Sequence, residues 1–166
     1  GHDRAFYLDL IDRVRRIIPE CAISQDIMAG FPTETEEDHK ETLSLMSEVK
    51  YDFGYMFAYS ERPNTMAARK LADDVPLAVK KRRLQEIIAL QQIHSAARNA
   101  ANVGQVVEVL VEGNSKRSDK DVFGRTSQNA VAVFPKKHHL PGDLVKVLIH
   151  SSTSATLLGD SIDTPS

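Results

Sequence analysis

Apolar residues recur at two different periods along this chain, and the period changes once. Over residues 4–18, Phe6, Leu10, Ile11, Val14, Ile17 and Ile18 fall at spacings of three and four. That spacing lines one face of a helix, and Pro19 ends it. Residues 22–29 (Ala-Ile-Ser-Gln-Asp-Ile-Met-Ala) read as a strand, followed by a Gly30-Phe31-Pro32 turn. Thr33 with Glu36, and Thr35 with Asp38, each offer capping-box spacing for the next helix. That helix carries Leu43, Met46 and Val49 on one stripe and ends near Lys50. Residues 51–59 are aromatic-rich and read as a second strand, and residues 60–65 as a loop. Pro76 opens a long helix, about 76–102, with Leu77, Leu84, Ile87, Ile88 and Leu90 among its apolar positions.

Gly104 is a natural helix stop, and beyond it the grammar is different. Residues 106–111, 122–126, 131–134, 144–149 and 156–158 read as five short strands between Gly, Asn, Ser and Pro turns. Such spacing suits a small antiparallel barrel of the OB type. Before the change, strand, helix and strand in alternation predict parallel strands with crossover connections. Two parallel strands cannot bury both faces, so the first part is expected to belong to a larger α/β sheet. The expected division is 1–102 and 103–160, with a polar, loose tail from Asp160 through 161–166. In the second strand Tyr51, Phe53, Tyr55 and Phe57 alternate with Asp52, Gly54 and Met56. Exposed strands of that kind invite self-association.

Composition narrows the class without naming a chemistry. Of 166 residues, 42% are hydrophobic and 27% charged, the balance of an ordinary soluble globular protein. No apolar run reaches the roughly 20 residues of a membrane helix. The first residues lack the features of a secretory leader, and Gly1-His2 has the look of a tag remnant. Cys21 is the only cysteine, which excludes an internal disulfide or a thiolate metal cluster. Next to a buried strand it reads as a small apolar filler.

Candidate chemistry concentrates in three places. At the strand end, Gly30 lets backbone approach a ligand. Glu34 and Glu36 lie where a helix dipole favours carboxylates, so they serve either a site or a cap. Asp26, within an apolar strand, is either a site residue or a paired structural carboxylate. After the second strand, Tyr59-Ser60-Glu61-Arg62-Pro63 lies on the same rim by topology. Arg62 is the best anion contact there, or else a solvated loop arginine. The run Lys80-Lys81-Arg82-Arg83 points in four directions around its helix and reads as solvated, with an RNA-facing surface as the alternative. Over residues 113–139, Lys116, Arg117, Lys120, Arg125, Lys136 and Lys137 stand against Asp119 and Asp121, a net +4. A basic strip on such a barrel suits a phosphate backbone. Phe123 and Phe134 are available to stack on bases or to fill the core; Asn129 reads a base edge or makes a turn. His138-His139 has no third ligand at zinc spacing, and there is neither a Ser-His-Asp set nor a phosphate-cradling Gly-rich loop.

Three motifs in order carry a family resemblance: Asp26-Ile27-x-x-Gly30-Phe31-Pro32-x-Glu34-Thr35, then Tyr59-Ser60-x-Arg62-Pro63-x-Thr65, then Val111-Glu112-Gly113-x-Ser115-Lys116 with Gly124-Arg125-Thr126 and Asn129. Together they resemble the methylthiotransferase family of radical SAM enzymes over nearly the whole chain. The first two look like late strands of a partial TIM-type barrel, and the third like the TRAM domain, a small RNA-binding barrel.

The resemblance implies a fold class of α/β followed by all-β: the C-terminal portion of a radical SAM barrel plus an OB-like barrel. It implies S-adenosylmethionine and two 4Fe-4S clusters in the whole protein. Clusters need a Cys-x-x-x-Cys-x-x-Cys set and three further cysteines, which this chain lacks. The chain is therefore expected to be a fragment that binds neither cluster and is inactive alone, with no catalytic residue or metal ligand of its own. Cofactor contact is expected at Asp26, Gly30, Phe31, Tyr59, Ser60 and Arg62. RNA contact is expected at Lys116, Arg117, Arg125, Asn129, Lys136 and Lys137.

The basic strip favours the family's tRNA-modifying branch, acting on N6-isopentenyladenosine beside the anticodon. Its expected partner is a tRNA anticodon stem-loop in the cytoplasm, without a membrane. The branch that modifies ribosomal protein S12 and a non-catalytic RNA-binding module are the alternatives. Thr33 and Asn64 depart from the family pattern, which has glycine at both.

Overall fold

A computed structural model describes residues 3–162. Helix α1 (Arg4–Ile17), strand β1 (Ser24–Ala29), helix α2 (Glu36–Val49), strand β2 (Phe53–Ala58), helix α3 (Met66–Lys70) and helix α4 (Leu77–Ala100) come first. Strands β3 (Val106–Ser115), β4 (Ser118–Thr126), β5 (Val131–Pro135), β6 (Leu144–Ser152) and β7 (Leu157–Ser161) follow. Two compact units result, residues 3–17 with 23–94, and 18–22 with 95–162. None of the described helices is long and apolar enough to cross a membrane.

In the first unit, β1 and β2 pair in parallel from Ser24 opposite Phe53 to Ala29 opposite Ala58. The strand period of two then sorts side chains between faces. Ile27, Ala29 and Met56 join Ile11, Met46, Val49, Tyr51 and Ile87 in one core. The opposite face holds Asp26, Met28, Tyr55 and Phe57, all exposed. Asp26 is thus not the buried carboxylate expected of an apolar strand. It lies opposite Tyr55 on the uncovered face, where a charge is hydrated and needs no partner.

Helix α2 starts on a full capping box. Thr35 Oγ1 accepts from the Asp38 amide, and the Asp38 carboxylate accepts from the Thr35 amide. These bonds, with Thr35 foremost, hold the Asp38 carboxyl below the ordinary range. Of the two predicted boxes, the Thr33 one does not form. The predicted stripe of α1 also divides. Ile11 is buried with Tyr7 and Leu8 against the core, whereas Phe6, Leu10 and Ile17 are exposed. Arg4 ties α1 to α2 through Glu41 and Glu48.

The second unit is a closed five-stranded barrel in the order β3-β4-β5-β7-β6, with β6 pairing back on β3. Counted within the barrel, that order is 1-2-3-5-4, and only β5 and β7 run parallel. It is an OB-type Greek key. Inward-facing Val109, Val111, Val122, Ala132, Phe134, Val145, Val147, Ile149 and Leu157 fill it. Phe134 therefore belongs to the core and is withdrawn from base stacking, while Phe123 faces outward and half-buried.

Several boundaries differ from the pattern. β3 and β4 extend to a tight turn at Lys116-Arg117, because irregular pairing around Gly113 and Asn114 interrupts the alternation that sequence reading relies on. β7 reaches Ser161, so the first residues of the expected tail are paired strand; the rest of the tail, and Gly1-His2, lie outside the described residues. Helix α4 stops at Ala100, and Cys21 is half-exposed rather than a core filler.

Candidate functional site

Both parallel strands of the first unit end on one rim. Tyr59 donates its amide to the Ala29 carbonyl at 2.8 Å, which brings the Gly30 loop beside the Tyr59 loop. Gly30 is buried with φ +74°, and its amide donates to Glu34 Oε2 at 3.0 Å. A β-carbon there would overlap Cγ of Lys80. Phe31 is exposed and meets buried Tyr59 edge-on, with ring centroids 5.3 Å apart. Ser60 and Arg62 are exposed in the following loop, where the Arg62 carbonyl accepts from Thr65. Of the six residues expected at a cofactor, Gly30, Phe31 and Tyr59 converge directly. Asp26 lies four residues earlier on the open sheet face.

The residues that brace this rim come from α4. Lys80 and Arg83 are 3% and 4% exposed, which overturns the solvated reading for these two, while Lys81 and Arg82 are exposed as expected. Lys80 Nζ donates to the Asp73 carboxylate at 2.6 Å and lies 5.0 Å from the Tyr59 ring centre. Arg83 donates to the Glu34 carbonyl at 3.0 Å and to Glu34 Oε1 at 2.6 Å, and reaches Glu36 Oε2 at 3.2 Å. Glu34 is therefore more than a dipole-favoured cap. It links the Gly30 amide to a buried guanidinium, a charge-assisted geometry that fixes the turn.

Around this link, Arg82 bonds Glu36 and Glu86, and Glu86 meets buried His39 at 2.6 Å. Arg82, with Arg83 beside it, holds the Glu36 carboxyl below the usual carboxylate range. His39 and then Arg82 do the same for Glu86. A sequence signal for the brace existed. Lys80 and Arg83 extend the buried stripe Ile87, Gln91, His94 backward at spacings of three and four. Their charge masked it.

The two departures from the family pattern acquire a physical meaning here. Thr33 has φ +75° and Asn64 φ +67°, the left-handed region where glycine is unstrained. Thr33 pays for that with Cβ crowding, partly offset by its amide donating to Asp74 Oδ1 at 2.8 Å. Asn tolerates this region far better than a β-branched residue. Thr33→Gly should stabilise the first unit by about 1 kcal/mol, the left-handed strain of 1–2 kcal/mol less glycine's entropy in the unfolded chain. Asn64→Gly should stay within about 0.5 kcal/mol. Urea unfolding followed by circular dichroism at 222 nm measures both, and equal effects at the two positions would remove this explanation.

Beyond the two loops, α3 follows the Thr65 cap as a single short helix, in a stretch to which the sequence pattern assigns no element. A groove of about 290 Å³ opens between it and the Gly30 loop, lined by Phe31, Met66, Ala67, Lys70 and Leu71.

In the barrel, the expected RNA residues separate into two groups. Lys136 donates its amide to the Lys120 carbonyl at 2.8 Å, so these lysines share one end with the Lys116-Arg117 turn. Lys116, Arg117 and Lys120 are exposed there. Lys137 shares that side but binds Ser161 Oγ at 3.0 Å. Arg125 lies five residues along β4 from Lys120, roughly 17 Å at strand rise. It is paired to Glu112 at 3.1 Å and donates to Asn129 Oδ1 at 3.0 Å. Asn129 itself has φ +61° and its amide closes a turn onto Thr126, which is the turn-making reading. The rings of His138 and His139 lie tilted against each other with centroids 4.4 Å apart, and no group of three or more metal-ligating side chains occurs among the described residues.

Comparison with known proteins adds the family. Residues 100–162 match the TRAM domain. Over 97% of its length the chain is 58% identical to a tRNA-2-methylthio-N(6)-dimethylallyladenosine synthase of Christiangramia forsetii, covering 34% of that protein. The synthases of the same name from Amoebophilus asiaticus and Porphyromonas gingivalis are 59% and 53% identical over 96% and 99% of the chain, which covers 33% and 36% of them. The chain thus spans about a third of the length of these curated relatives. Its residues 100–162 are a TRAM domain, and as a whole the chain is similar to about one third of the tRNA-2-methylthio-N(6)-dimethylallyladenosine synthases.

Proposed function

We propose that this chain is part of a MiaB-type tRNA methylthiotransferase, in which the barrel holds tRNA and the braced rim lines one side of an S-adenosylmethionine pocket. The observation that carries the reading is the identity of more than half across nearly the whole chain to synthases of that name. The first unit would be a portion of a radical SAM barrel, its strand-end loops facing the cofactor, and the protein would work in the cytoplasm where tRNA is found. Bound along this rim, S-adenosylmethionine would supply radical chemistry.

The residues present fit the two implied groups differently. The rim offers a cofactor a buried glycine turn, the exposed Phe31 ring and the exposed Arg62 cation. An iron–sulfur cluster needs several thiolates, and the chain has Cys21 alone. No reaction step is therefore assigned to these residues. Their part is to hold the rim: Arg83 and Glu34 fix the Gly30 amide, and Lys80 lies under Tyr59. On its own the chain binds rather than catalyses. The open face of Met28, Tyr55 and Phe57 is a surface for self-association of the isolated chain.

For tRNA, the working end of the barrel is the cluster of Lys116, Arg117, Lys120 and Lys136, with Arg125 and Asn129 supporting the far end. An anticodon loop presents unstacked bases and phosphates to such a surface. Lys120→Gln with Lys136→Gln should weaken binding of an anticodon stem-loop about tenfold. It should also lower the slope of log affinity against log salt by about 1.5. Fluorescence anisotropy between 50 and 300 mM salt measures both. Binding of the unsubstituted chain that ignores salt would count against an RNA role.

A further inference from the structure

We infer that His138 is a stacking platform for an unpaired RNA base at the basic end of the barrel, with the neighbouring lysines holding the flanking phosphates. The inference rests on the tRNA reading above and names the ring that reading lacks. Between residues 103 and 162 the candidate rings are Phe123, Phe134, His138, His139 and His150. Phe134 and His139 are 1% and 3% exposed, so both belong to the interior. Phe123 is half-buried on the barrel wall, opposite Gly113. His150 is exposed, but its Nε2 lies 3.8 Å from Asp160 Oδ2, and a carboxylate there repels a phosphate backbone. His138 is exposed and follows Lys136 and Lys137 directly.

The imidazole is held in place from below. Phe134 in the core meets His139 edge-on with centroids 5.7 Å apart, and the His139 ring lies tilted against that of His138 at 4.4 Å. Three rings thus run from the core of the barrel to its surface. The His139 amide donates to the Lys136 carbonyl at 2.8 Å, and the Leu140 amide to Asp143 Oδ2 at 2.8 Å, which fixes the turn on both sides of the histidines. A ring already ordered loses little freedom when a base settles on it. The Lys136 amide also donates to the Lys120 carbonyl, which joins this turn to the strand leading from the Lys116-Arg117 tip. Lys116, Arg117, Lys120, Lys136 and Lys137 at this end outnumber Asp119 and Asp121. An aromatic face among cations suits single-stranded nucleic acid, with base on ring and backbone on charge. Paired stem bases present no free face, so the platform selects an unpaired nucleotide.

The test uses the 166-residue chain with two probes: a short single-stranded RNA and an anticodon stem-loop, each carrying one unpaired 2-aminopurine. Binding should quench the 2-aminopurine fluorescence as the base settles on the ring. His138→Ala should weaken binding about tenfold, within the range for one stacked base, and remove the quench while leaving the salt slope unchanged. His138→Phe should restore both affinity and quench, which a loss of folding would not allow. Lys136→Gln should do the opposite, lowering the salt slope by about 0.7 and keeping the quench. Stem-loop affinity and quench that survive His138→Ala, or that fall instead with Phe123→Leu, overturn the inference and leave the tRNA reading standing. A His138-dependent quench of the single strand, with no binding of the stem-loop, leaves the platform standing and sinks the tRNA reading. Binding of neither RNA overturns both.

Discussion

Arg83→Met is expected to destabilise the first unit by about 3 kcal/mol. The guanidinium is buried, and its main partner Glu34 is only 15% exposed. Removing one member of a buried pair leaves the other charge desolvated and unpaired, at a cost of about 3–5 kcal/mol. The lower end applies because Glu36, the second partner, keeps 40% of its side chain in water and stays paired to Arg82. The same change frees the Gly30 amide's acceptor, so the loop should loosen with the loss in stability. Urea unfolding at 222 nm reads the first effect and amide exchange at Gly30 the second. The double variant Arg83→Met, Glu34→Gln should recover part of the loss, because the orphaned charge is gone. A loss below about 1 kcal/mol for Arg83→Met alone would mean the guanidinium is solvated and the rim is held by packing.

Gly124→Ala should cost the barrel about 3 kcal/mol or more. An added β-carbon would overlap the Leu110 carbonyl oxygen, on the neighbouring strand, and crowd the Val109 side chain. Overpacking commonly costs about 1–3 kcal/mol, and the upper end holds where the obstacle is ladder backbone that cannot rotate aside. This accounts for the glycine that opens the Gly124-Arg125-Thr126 motif. Gly113→Ala is the matched control, since its β-carbon would meet only the edge of Phe123 at 3.4 Å. It should cost no more than about 1 kcal/mol. Thermal unfolding of the chain separates the two, and similar losses at both glycines would refute the close-approach argument.

The contrast between the two units shows where sequence reading succeeds. Strand β6 was legible because its alternation is strict: Val145, Val147 and Ile149 point in while Leu144, Lys146 and Leu148 point out. The Thr35 cap was legible because it is local, closed within four residues. Lys80 and Arg83 were misread because charge in a helix normally means solvent, and their partners lie seven residues away at Asp73 and 49 away at Glu34. The exposure of Asp26 was not legible because an apolar strand does not say which of its faces is covered.

Local pattern alone therefore determined the three long helices, the approximate places of the strands, the Thr35 capping box and the change of grammar near Gly104, since each depends on side chains a few residues apart. The motifs pointed to the family for the same reason, being short and contiguous. Only the tertiary structure decided that a glycine turn, a glutamate and two buried cations form one braced rim, that Thr33 and Asn64 occupy left-handed positions, and that Arg125 is committed to Glu112 and Asn129. Burial and pairing across long separations set those outcomes, because the free energy of a charge depends on what surrounds it in space and not on its neighbours along the chain.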